Sequence, residues 1–275
     1  MRTTRRYWHK TDVAVLLFCV ALALSSFAAA GRQGRMRAKG MVCRSNLHQW
    51  NKVFQDYMAD NGGSFFTGTP PSGYWWPAQL DEAAQSWKQN RTWFCPTASS
   101  PFVDEFGIST PGSMTFKAWG IYHASGLLGE DGIAGSYGLN GYTIAISGFG
   151  RSGPTFETGV PAGEGWRDFA SVTNADRVPL FLGAMRFDLW PLHTDSPAAH
   201  ESAAWAGSHM ARCSIDRHNG AVNSLFLDGS ARKVGLKELW TLKWYRSFNI
   251  TGPWTMAGGA IPADWPEWMR PFEDY

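Results

Sequence analysis

The chain has 275 residues, 44% of them hydrophobic, which is enough for a packed core and excludes a disordered protein. A formal net charge of +2 is too small at this length to imply a nucleic-acid partner, and the basic residues gather on the two sides of the first apolar segment. Thirty glycines, fifteen prolines and 17% charged residues describe turns, short strands and ordered loops, while fifteen tryptophans exceed ordinary core filling.

Residues 13 to 30, VAVLLFCVALALSSFAAA, form an uncharged run of membrane-spanning length, preceded by a basic segment over 1 to 12 with Arg2, Arg5, Arg6 and Lys10. The run reads as a cleaved signal peptide ending after Ala30, an uncleaved inner-membrane anchor, or the apolar half of a pilin-like helix. All three export the remainder. After a basic patch (Arg32, Arg35, Arg37, Lys39), apolar residues recur at Val42, Leu47, Trp50, Val53, Phe54, Tyr57 and Met58, close to the helical period. The pattern predicts an amphipathic continuation over 31 to 62, stopped by the glycines of DNGG, and a head domain over 63 to 275.

Within the head, PAQLDEAAQSWKQ (77 to 89) predicts a brief helix. YGLNGYTIAIS (137 to 147) predicts an Asn-Gly turn followed by a strand, and RVPLFLGAM (177 to 185) a buried strand. In RHNGAVNSLFLDG (217 to 229), strand-like AVNSLFL lies between two turn signals, Asn219-Gly220 and Asp228-Gly229. With RCSIDR before and SARKV after, the expectation is a three-stranded antiparallel meander ending near residue 234. A strand rises about 3.3 Å per residue, so His218 and Asp228 stand roughly 30 Å apart and share neither a proton nor a metal. They read as architecture. GLKELWTLKWYR (235 to 246) places Leu236, Leu239, Trp240 and Trp244 on one helical face, and an extended tail over 253 to 275 carries Trp254, Trp265 and Trp268. Those three tryptophans are the candidate contacts for a sugar or a partner protein, against a bland reading in which they pin the tail.

Taken in order, the N-terminal helix, CRSNLHQWNKVFQDYMADNGGSFF, FCP, SYGLNGY, VPLFLG and the stretch from His218 through Asp228-Gly229 resemble bacterial pseudopilin-like proteins of the type II secretion major-pseudopilin type, with an H-x9-DG domain. The resemblance implies an α+β fold in which a long N-terminal helix packs on a small antiparallel sheet. It also implies a leader removed by a prepilin peptidase, and filament assembly with other pilin-like subunits. The family's processing glycine is missing from RRYWHKTDVAVLL, and Asp12 is the one acid placed to take the part of the family's glutamate.

Other signals carry less. GFGRSG (148 to 153) has dinucleotide-loop spacing but is followed by Pro154 where a helix should begin. A loop with His193, Asp195, His200, Glu201 and His209 offers metal ligands without a familiar spacing, and is the basis of a metal-dependent hydrolase reading. Glu130 and Asp131 are the acids available to calcium, which major pseudopilins bind, although a solvated turn is the simpler reading. Of the four cysteines, Cys19 lies in the apolar run, so at most one disulfide is expected among Cys43, Cys95 and Cys213; no spacing of zinc-ligand type occurs. The expectation is a non-enzymatic, cofactor-free, single-pass subunit of the inner membrane with a periplasmic head. An exported binding module using the tryptophans is the alternative.

Overall fold

The computed structural model describes residues 10–68, 76–103, 108–109, 113–123, 132–146 and 154–275, apart from the side chains at 10, 12, 23–30 and 32. Two compact units divide the chain, Met1–Lys39 and Gly40–Tyr275.

Helix α1 runs over Lys10–Asp60. In its first unit the large side chains Val13, Val15, Leu16, Leu17, Phe18, Val20 and Leu22 are exposed. The expectation of a membrane span over 13 to 30, and with it a single-pass inner-membrane location, is not met. Among the described residues no helix is long and apolar enough to cross a membrane. The side chain of Asp12 lies outside the described residues.

In the second unit α1 buries Cys43, Leu47, Trp50, Phe54 and Met58, a spacing of three and four that keeps one stripe on the core. Val42 was expected on this stripe but is half exposed, and Cys43 takes its place. Asp60 ends the helix as predicted: Gly62 and Gly63 adopt φ of 62° and 82°, and the Gly63 N–H donates to the Met58 carbonyl at 2.8 Å.

The expected helix over 77 to 89 shrinks to a 3-10 turn at Trp76–Gln79 and a single turn, α2 (Glu82–Gln85), capped by Asp81. Three short strands, β1 (Ser100–Pro101), β2 (Lys117–Tyr122) and β3 (Ile133–Gly135), make one sheet. The larger sheet has five: β4 (Tyr137–Asn140), β5 (Pro179–Gly183), β6 (Asp188–Leu189), β7 (Ala221–Phe226) and β8 (Ala231–Gly235), in the order β6-β4-β5-β7-β8. β5 and β7 are buried at every position; β5 reads as a continuous apolar run, whereas β7 carries the buried polar Asn223 and Ser224 at its centre. After β4 the predicted strand is instead a 3-10 turn at Gly141–Thr143, because the Asn140 carboxamide accepts from the Tyr142 N–H and bends the chain.

The predicted meander keeps two of its three strands. β7 and β8 pair antiparallel, but β5 lies on the other side of β7. RCSIDR does not supply that strand: Ser208 caps helix α3 (His209–Cys213) by accepting from the Ala211 N–H, so Arg212 and Cys213 are helical. At the far end of β7 the turn has three residues rather than two. Gly229 sits at φ 83°, and the Phe226 N–H donates to the Ser230 carbonyl at 2.9 Å. The helix expected over 235 to 246 is a 3-10 turn at Lys237–Thr241, yet Leu236, Leu239, Trp240 and Trp244 are all buried as predicted.

Candidate functional site

Where β7 begins, α1 and the segment after α2 bring together the Cys43, Cys95 and His218 side chains. One ligand atom from each lies within 4.8 Å of the others, and all three residues are buried. Cys95 Sγ is 3.2 Å from His218 Nε2. All of these thiols are free.

Each member is held by its own element. Cys43 belongs to the buried stripe of α1, where the Tyr137 hydroxyl, from β4, lies 3.2 Å from its Sγ. Cys95 is fixed to the same helix by its neighbours: the Asn46 carboxamide donates to the Phe94 carbonyl at 2.9 Å and the Trp50 indole to the Thr92 carbonyl at 3.1 Å. The Ser136 hydroxyl accepts from the Cys95 N–H. His218 sits just before a tight turn, with Asn219 and Gly220 both left-handed at φ 59° and 76°, and its N–H donates to the Ala221 carbonyl at 3.0 Å. The Gly220 N–H in turn donates to Asp216 at 2.7 Å. Gly40 on α1 approaches this corner: a Cβ there would lie 3.7 Å from His218 Nδ1, and the Gly40 carbonyl accepts from the Asn223 carboxamide at 3.3 Å.

The charges around the cluster are unusual. Arg217 is fully buried, and among the described residues its partners are the carbonyls of Thr115, Ser136 and Lys117 at 2.6–3.0 Å and the Met185 sulfur, with no carboxylate. Burial pulls its guanidinium down to about 10. The hydrogen bond from Cys43, then His218 and the Arg217 charge, hold the Cys95 thiol well below the usual thiol range, against the effect of burial. Burial pushes Cys43 well above it. Two buried atoms here have no hydrogen-bond partner, His218 Nδ1 and Asn223 Oδ1.

Sequence spacing missed this cluster, because zinc-type motifs register ligands a few residues apart and these three come from distant segments. His218 and Asp228, by contrast, do not meet. Asp228 is exposed and its carboxylate accepts from the Ser230 N–H at 2.9 Å, so both ends of the motif shape turns as expected while the histidine also joins the thiols.

The histidine loop does not assemble as a metal site among the described residues. His193 faces the Tyr245 hydroxyl at 3.5 Å, the Asp195 carboxylate accepts from the Leu192 and Met210 N–H groups, and His200 is exposed ahead of Glu201. His209 is buried against Glu157 at 3.3 Å, beside the Arg186–Glu157 and Arg186–Asp188 ion pairs at 2.7 and 2.6 Å. The hydrogen bond from His209, with help from Arg186, holds the Glu157 carboxyl at about 2. A folded-state value below the unfolded one gives stability that is complete above about pH 4.5 and is lost as pH falls toward 2. Thermal midpoints of the wild type and Glu157→Gln, followed from pH 7 to pH 2, are therefore expected to differ near neutrality and to converge below about pH 4. A constant gap would contradict the linkage.

Trp265 is buried, 5.2 Å from the Trp240 ring and 5.4 Å from Trp254, and the Trp268 indole donates to the Ala198 carbonyl at 2.9 Å. Buried Lys237 adds an ion pair to Asp274 at 2.6 Å and lies over the Trp265 ring. These contacts fasten the tail to the head. Glu130, Asp131 and the GFGRSG loop lie outside the described residues. Comparison with known protein families, curated proteins and solved structures returns no match.

Proposed function

We propose that the chain is a non-enzymatic, pseudopilin-like structural subunit that associates with other copies of itself, in the manner of a type II secretion or pilus-like assembly. One observation carries this reading. The helical unit presents seven large apolar side chains between Val13 and Leu22 to solvent, with Phe18 65% and Leu17 63% exposed. Apolar surface of this density is unfavourable in water at about 25 cal/mol per Å² and is relieved by packing against a like surface. Every copy carries the same stretch, so helix-to-helix contact between copies removes it from water on both sides. The α+β head over Gly40–Tyr275 keeps its own core and is free to be displayed.

Sedimentation of the full chain tests this. The wild type is expected to sediment well above its 30.5 kDa monomer mass, and the double substitution Leu16→Glu/Phe18→Glu to return it to that mass with an unchanged head fold. A monomeric wild type, or a variant that still associates, would overturn the reading.

A further inference from the structure

Independently of how copies associate, we infer that Cys43, Cys95 and His218 form a buried site for one thiophilic d10 metal ion, zinc(II) or copper(I). Two sulfurs and an imidazole are the donor set such ions select, whereas magnesium and calcium take oxygen. Metal–sulfur and metal–nitrogen bonds of about 2.3 and 2.0 Å place two tetrahedral ligands about 3.5 Å apart. The 3.2 Å between Cys95 Sγ and His218 Nε2, and the spread of no more than 4.8 Å over all three ligand atoms, match that spacing.

The surroundings point the same way. Buried polar atoms ordinarily find partners, yet among the described residues Asn223 Oδ1, on a residue with no exposure, has none. The Tyr137 hydroxyl near Cys43 Sγ is placed to donate to a ligating thiolate, as outer-shell groups do. Arg217, buried with no carboxylate partner among the described residues, leaves a positive charge that the net negative charge of a copper(I) bis-thiolate would offset, whereas a zinc(II) bis-thiolate is already neutral. Binding releases the two thiol protons to solvent, and the donors come from α1, the segment after α2 and the start of β7, so an ion would tie three distant parts of the chain. The alternative for the same thiols is a Cys43–Cys95 disulfide.

The test uses the full chain, reduced, metal-free and kept under anaerobic conditions. It is titrated with cobalt(II) as the spectroscopic stand-in for zinc, and with copper(I) against a bicinchoninate competitor. One equivalent of at least one ion is expected to bind, cobalt(II) with a thiolate-to-metal charge-transfer band. Cys95→Ser and His218→Gln should weaken that binding by at least about 100-fold, while Cys213→Ser, whose buried thiol donates to the Met210 carbonyl away from the cluster, should leave it unchanged. If the ligand variants fail to fold, X-ray absorption of the metal-loaded wild type decides, with two sulfurs at about 2.3 Å and one nitrogen near 2.0 Å expected. Absence of saturable binding by either ion would overturn the site. So would a non-reduced chain with Cys43 and Cys95 joined whose reduced form takes no metal.

Discussion

Replacing Arg217 by Met is expected to cost the head about 3–5 kcal/mol of unfolding free energy, the larger part of the stability of an ordinary domain. The guanidinium reaches three carbonyls at once: Lys117, which opens β2; Ser136, between β3 and β4; and Thr115 just upstream. It therefore ties the small sheet to the large one. Met fills the volume but takes the guanidinium donors away from the Thr115 and Lys117 carbonyls, at about 1–3 kcal/mol each before relaxation, while the Ser136 carbonyl keeps the Ala184 N–H at 2.9 Å. For a unit of this size a loss of that order lowers the thermal midpoint by roughly 10 °C. Arg217→Lys should recover only part of the loss, because an ammonium on a flexible stem does not span the planar fork. Urea denaturation of the three proteins measures the effect, and a Met variant within about 1 kcal/mol of wild type would contradict the assigned role.

Trp76→Ala is the second large effect, at about 3–5 kcal/mol. The indole stands between α1 and β5, 5.4 Å from Trp50, 5.1 Å from Phe181 and 5.5 Å from Trp93, the last pair nearly parallel at 17°. Its N–H donates to the Phe187 carbonyl at 2.8 Å. Truncation opens a cavity lined by rings too rigid to collapse into it, and removes one of the two donors to the Phe187 carbonyl, which keeps the Leu139 N–H at 2.9 Å. Trp76→Phe keeps most of the ring packing and loses the hydrogen bond, so it should fall between the two. Denaturation midpoints in that order, with a reduced near-ultraviolet circular dichroism signal for the Ala variant, are the expected result. Equal stabilities for Phe and Ala would assign the effect to the hydrogen bond alone.

What the sequence made legible follows the range of the interaction concerned. The stripe on α1 and the stop at Gly62-Gly63 are local, and period and turn chemistry are enough to find them. β5 is likewise legible as an apolar run, and β7 as a segment of strand composition between two turn signals. The missing meander strand was not: RCSIDR alternates like a strand, and only the Ser208 cap and the arrival of β5 beside β7 decide otherwise. Of the three tryptophans read as candidate surface contacts, Trp265 is buried against Trp240, while Trp254 and Trp268 are half-buried. The membrane span was inferred from an uncharged run over 13 to 30, yet among the described residues no helix is long and apolar enough to cross a membrane. The cysteine and histidine cluster depends on α1 crossing the start of β7, a tertiary event with no short-range signature.

Negative-stain electron microscopy of the purified chain tests the proposed self-association most directly. Particles joined into assemblies with a regular repeat, lost in Leu16→Glu/Phe18→Glu, are the predicted result. Single, unconnected particles at every concentration from dilute to crowded would contradict it.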